Sequence, residues 1–124
     1  MVHATRTIIT AILATAILAV VPAQATPVKD FEAKTVSEQS ALITAFVDRM
    51  TGDLDSTNPQ LAQGIHDYFF VTPKGEHFTE GLWNLSLELA ALDTAAKDGK
   101  VDLSKIQIEG VIVKVVKDKF PPQK

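Results

Sequence analysis

The chain has 124 residues, no cysteine, 12 Lys and Arg against 15 Asp and Glu, and 46% hydrophobic residues. That length supports one hydrophobic core rather than two, and an acidic balance without basic runs argues against general nucleic-acid binding. The lack of cysteine removes disulfide frameworks, thiolate catalysis, cysteine-based zinc sites and lipoprotein-type acylation.

Residues 1–25 have the order of a secretory signal peptide. Arg6 is the only formal side-chain charge, Ile8–Val21 is an apolar run interrupted by Thr10 and Thr15, and Pro22 ends it. Ala23-Gln24-Ala25 then supplies small residues at the −3 and −1 positions of a cleavage site. The run is short of the roughly 20 residues needed to span a bilayer, so removal after Ala25 is expected in preference to anchoring. The processed chain then starts at Thr26, is periplasmic or secreted, and makes no stable membrane insertion. It carries 15 acidic and 11 basic residues, and its fold has to rest on burial alone.

Thr26–Lys34 reads as an extended lead-in anchored by Val28 and Phe31, with room for one helical turn around Asp30–Ala33. The helical domain is expected over residues 35–120, followed by a tail at 121–124. Thr35-Val36-Ser37-Glu38 matches a capping box, in which hydroxyl and carboxylate satisfy each other's free N–H groups. In the first helix Gln39, Leu42, Ile43, Phe46, Val47, Met50 and Leu54 share one arc, and Thr44 and Asp48 face away. Asp53–Asn58 is a polar connector; its Asp53-Leu54-Asp55 lacks the further ligands of a calcium loop.

Asn58-Pro59 starts the second helix, whose inward stripe is Leu61, Ala62, Ile65, Tyr68 and Phe69. Thr72-Pro73 sets its end near Phe69 or Phe70, leaving a turn or a minimal hairpin at 70–78. Thr79 caps the third helix. Phe78, Leu82, Leu85, Leu89, Leu92 and Ala96 line one side of it, and Trp83, Leu87 and Ala90 form a second apolar patch. Only a wedge of Asn84, Glu88, Ala91 and Ala95 is expected to look outward. Apolar on two faces, this helix is expected to be central and to end at Asp98-Gly99.

The last segment reads two ways. Ser104-x-x-Gln107 matches a second capping box, and Ile108, Val111, Ile112, Val115, Val116 and Phe120 share a helical stripe. Yet the β-branched run from Ile106 to Val116 favours a strand, with a phase slip at Glu109-Gly110. A lone strand needs a partner that the chain supplies only weakly, so helix is expected. The fold class is therefore all-α: a single small bundle of about four helices.

Little in the sequence points to chemistry. His66, His77 and Glu80, with Asp67 and Glu76 nearby, are the candidate metal ligands. No HExxH-type spacing supports them, and the two histidines fall on separate elements. No serine lies in a GxSxG elbow, no glycine loop cradles phosphate, and no cofactor is implied. Trp83 and Leu87 form the candidate partner-binding surface if the last helix covers only the other face of the third, because Trp contributes strongly to interfaces.

Asp30-Phe31, then Gln39 and the Leu42–Met50 helix, resemble the opening of small periplasmic helical proteins. These are acid-stress chaperones of the HdeA/HdeB kind and secreted Rap/Tai-type immunity proteins. The stretch from Gln107-Ile108 to Phe120-Pro121 is similar to the last helix of the immunity proteins. The resemblance implies four to five helices, no catalysis and a protein partner; both families typically hold their helices with a cysteine pair, which this chain lacks. The expected function is protein–protein binding without enzymatic activity. The alternatives are a metal- or small-ligand-binding domain and an acid-stress chaperone.

Overall fold

A computed structural model of the protein describes residues 25–122. Residues 1–24, where the leader is expected, and the end of the tail lie outside the described residues. Five helices follow in order: α1 (Val28–Glu32), α2 (Val36–Asp55), α3 (Pro59–Phe70), α4 (Glu80–Lys97) and α5 (Ile108–Lys119). Among the described residues there is no strand, only an isolated antiparallel bridge between Pro27 and Gln107. None of these helices is long and apolar enough to cross a membrane. The expected all-α bundle is the observed architecture.

Local chemistry sets the helix starts. The Thr35 hydroxyl accepts from the Glu38 N–H at 3.1 Å, and the Thr35 N–H donates to Glu38 Oε1 at 2.9 Å. The Thr35 N–H and the Thr35 hydroxyl, which also donates to Glu38 Oε1 at 3.2 Å, hold the Glu38 carboxyl below its ordinary range. Asn58 Oδ1 accepts from the Leu61 N–H at 3.1 Å, with Pro59 at the first helical position. Thr79 Oγ1 accepts from the Leu82 N–H at 3.3 Å. Each cap satisfies a donor that the helix itself leaves open.

The fourth long helix starts later than its capping motif suggests. Ser104 bonds backward instead, its hydroxyl donating to Asp102 Oδ1 at 2.6 Å and its N–H to the same oxygen at 3.0 Å. These bonds fold Asp102–Ser104 into a turn, hold the Asp102 carboxyl below its ordinary range, and leave α5 to begin at Ile108. The β-branched run is helical all the same. Helix propensity costs Val or Ile about 0.7 kcal/mol or less per residue relative to Ala, whereas burying such a side chain stabilises by about 1.5–3 kcal/mol. Ile108, Val111, Ile112, Val113, Val115 and Val116 are all buried, so burial wins.

The core joins the inward stripes of all five helices: Val28 and Phe31 of α1, Phe46, Val47 and Met50 of α2, Ile65 and Phe69 of α3, Leu85 of α4 and the α5 run. Helices α2 and α3 make the most extensive contact; α4 touches both α3 and α5. The loop at 71–79 is a turn, not a hairpin, closed by the Glu76 N–H donating to the Pro73 carbonyl at 3.0 Å. Gly99 takes φ 74 just past α4, the left-handed conformation that glycine adopts without steric cost.

Candidate functional site

Helix α4 sits differently from the expectation that both its apolar faces are covered. Leu85 and Gly81 are its only buried residues. Trp83 is 53% exposed, Leu87 52% and Phe78 60%, and Leu82 also lies at the surface. Phe78 therefore does not join the inner stripe. Of the wedge expected outside, Ala91 is exposed but Asn84, Glu88 and Ala95 are half-buried, while Ala90 beside Leu87 is exposed.

Polar pairs accompany the rotation. Asn84 Nδ2 donates to the Tyr68 hydroxyl at 2.8 Å across the α3–α4 contact. Glu88 Oε2 accepts from Lys114 Nζ at 2.9 Å, and Glu80 Oε2 accepts from Lys119 Nζ at 2.9 Å, so two carboxylates of α4 are held by α5. Asp118, 2.9 Å from the Lys114 ammonium group, and Glu88 raise Lys114 above its ordinary value, and Glu80 does the same for Lys119. Burial pushes the Tyr68 hydroxyl up, with the Asn84 bond opposing it in part. Positions 80, 84 and 88 lie four apart on one face, and turning that face toward α3 and α5 sends Trp83, Leu87 and Ala90 to solvent.

Close packing fixes the start of α4. A Cβ placed on Gly81 would meet Phe69 Cδ1 at 2.7 Å and the Tyr68 carbonyl oxygen at 2.9 Å. Only glycine lets the first turn of α4 lie this near the end of α3. Trp83 follows two residues later.

Beside it the 73–79 turn leaves an open recess of about 470 Å³ between Pro73, Phe78 and Trp83, with Glu76, His77 and Glu80 also on its wall. The Phe78 and Trp83 rings are 6.1 Å apart, tilted by 31°. An apolar floor beside the Glu76 carboxylate suits an apolar side chain flanked by a basic one.

The candidate metal ligands divide between two places. His77 and Glu80 line the recess beside Trp83, but His66 borders another with Asp48 and Asp55. His66 Nδ1 lies 3.4 Å from Asp67 Oδ1, and its ring meets Phe70 edge-on with centroids 5.0 Å apart. Among the described residues, no three His, Asp or Glu side chains converge as a group able to hold a metal ion. Sequence periodicity placed Phe78 in the core and Asn84 outside; the Asn84 bond to Tyr68 across the α3–α4 contact was the missing signal.

Fold and surface together define a small cysteine-free helical domain whose largest exposed aromatic side chains stand together on one helix start and the turn before it. Comparison with protein-family models, with curated proteins and with solved structures finds no match to this chain.

Proposed function

We propose that the chain is exported to the periplasm or beyond, loses its leader after Ala25, and acts without catalysis by binding another protein through Trp83 and Leu87. The observation that carries the reading is the exposure of both side chains, 53% and 52%, on a helix pinned by Gly81, Asn84 and two ion pairs. A pre-ordered aromatic anchor loses little conformational entropy on binding, which is why Trp recurs among the residues that dominate interfaces. Phe78 extends the apolar surface, and Glu76 on the recess wall favours a partner with a basic residue beside its apolar anchor.

The test is capture from the native periplasm with wild-type protein, Trp83→Ala, Leu87→Ser and, as a control on another exposed apolar side chain, Val36→Ser. One protein retained by wild type and Val36→Ser and lost with both α4 variants, all four sharing a thermal midpoint, supports the reading. Because Trp83 is the sole tryptophan, titrating that protein should also shift Trp emission to shorter wavelength. Capture unaffected by Trp83→Ala and Leu87→Ser refutes it.

A further inference from the structure

Glu109, at the second position of α5, is 2% exposed, and no other Asp or Glu among the described residues is buried. Its Oε1 accepts a hydrogen bond from the backbone N–H of Thr26 at 2.8 Å. Thr26 is held from its other side as well, its carbonyl accepting from the Ile108 N–H at 2.8 Å. Val28 and Lys29 continue the seam, donating to the carbonyls of Ile106 at 2.7 Å and Leu103 at 3.2 Å. The lead-in is thus tied onto residues 103–109 in a fixed register that starts at Thr26, while Ala25 is exposed.

The small-x-small motif at Ala23–Ala25 puts its cleavage point at the bond feeding this seam. We infer that the Ala25–Thr26 bond is a processing site and that the α-ammonium group it releases is the charge partner of the buried Glu109 carboxylate. This inference rests on the export reading above. Hydrolysis by a signal peptidase adds one water: Ala25 leaves as a carboxylate, and the Thr26 nitrogen takes up protons to become an ammonium.

The nitrogen that already donates the 2.8 Å bond becomes the cation, and the register of the seam is kept. A carboxylate withdrawn from water needs a charged, hydrogen-bonded partner more than it needs a single amide dipole. The other charged side chain facing this place is Arg49 of α2, which borders the same recess of about 260 Å³ with Thr26 and Glu109.

The full chain is expressed with its leader, the exported protein is purified, and intact mass fixes its first residue. Periodate then oxidises a terminal Thr to an aldehyde and releases the amine as ammonia; an internal Thr does not react. The wild-type midpoint at pH 7 should fall by about 5–10 °C on this treatment, and that of Glu109→Gln by less than about 2 °C.

In untreated protein the amine paired with Glu109 titrates above its unfolded value. Its contribution is therefore present below about pH 8 and is lost as pH rises further, so the gap between wild type and Glu109→Gln narrows. An uncleaved chain overturns both this inference and the export reading, and cleavage at another bond overturns this inference alone. So does a Thr26 terminus whose oxidation leaves the midpoint unchanged or lowers both proteins equally, which would leave Arg49 as the carboxylate's sufficient partner.

Discussion

Helices α4 and α5 are both rich in apolar residues, yet they meet opposite fates. In α5 six Val and Ile side chains are buried, and Gly110, Lys114, Asp118 and Lys119 are its exposed positions. In α4 Trp83 and Leu87, among the largest apolar side chains it has, are more than half exposed. Apolar content alone does not decide burial. In α4 Leu85, the Gly81 contact and the Asn84–Tyr68 bond face the core, and the Trp-bearing strip is left outside. The contrast separates a helix that holds the fold from a helix that offers a surface.

The sharpest break of that contrast comes in α5. Ile112 is fully buried, and Ile112→Ala should cost about 2–5 kcal/mol in equilibrium denaturant unfolding; a cost below about 1 kcal/mol would mean that α5 is not the core helix described. Gly81→Ala comes next. Its methyl has no room against Phe69 and the Tyr68 carbonyl, so overpacking should cost about 1–3 kcal/mol and outweigh the roughly 1 kcal/mol that alanine gains over glycine in helix propensity. A stabilised variant would contradict the close approach.

Tyr68→Phe removes the acceptor of the Asn84 amide and should lose about 1 kcal/mol, with α4 less firmly oriented; amide exchange along residues 80–88 would report it. Trp83→Ala should change stability by less than about 1 kcal/mol, against the 3–5 kcal/mol typical of a buried Trp. That small number, together with lost capture, sharpens the distinction between the two helices more than any core variant.

The smallest effect is electrostatic. Burial and the adjacent Asp93 carboxyl push Glu32 up to about 6 from 4.5. A carboxyl whose folded value is raised binds its proton more tightly in the native state. Its contribution is therefore favourable at low pH and is lost as pH rises from about 4.5 through about 6. Glu32→Gln should flatten the stability profile in that window, by well under about 1 kcal/mol after solvent screening, and leave it unchanged below. Acid thus tightens the α1–α4 contact here, while it weakens the Thr35–Glu38 cap, whose carboxyl is held low. An acid-stress chaperone would have to open against the first effect, and suppression of client aggregation at low pH is the assay that would establish it.

Much of the fold was legible because its signals are local. The capping box at Thr35–Glu38, the Asn58-Pro59 start and the Thr79 cap each need only a few adjacent residues, and all three form as read. The stripe from Leu42 to Leu54 is a one-sided period that one core satisfies. Where two apolar strips compete, as on α4, period cannot choose between them; the choice lies in contacts with another helix, Phe69 and the Tyr68 carbonyl against Gly81 and the Tyr68 hydroxyl for Asn84. Ser104 misled for the opposite reason: an aspartate two residues earlier captured its hydroxyl and N–H before any helix could. The Trp83 and Leu87 pair was legible as a patch, though not as an exposed one.

The most direct test of the account is the fluorescence of Trp83 in the folded, unliganded protein, read as emission wavelength and iodide quenching before and after denaturation. The account predicts emission close to that of the denatured chain and ready quenching by iodide in the native state. Native emission shifted strongly to shorter wavelength and shielded from iodide would place the indole inside the protein and contradict it.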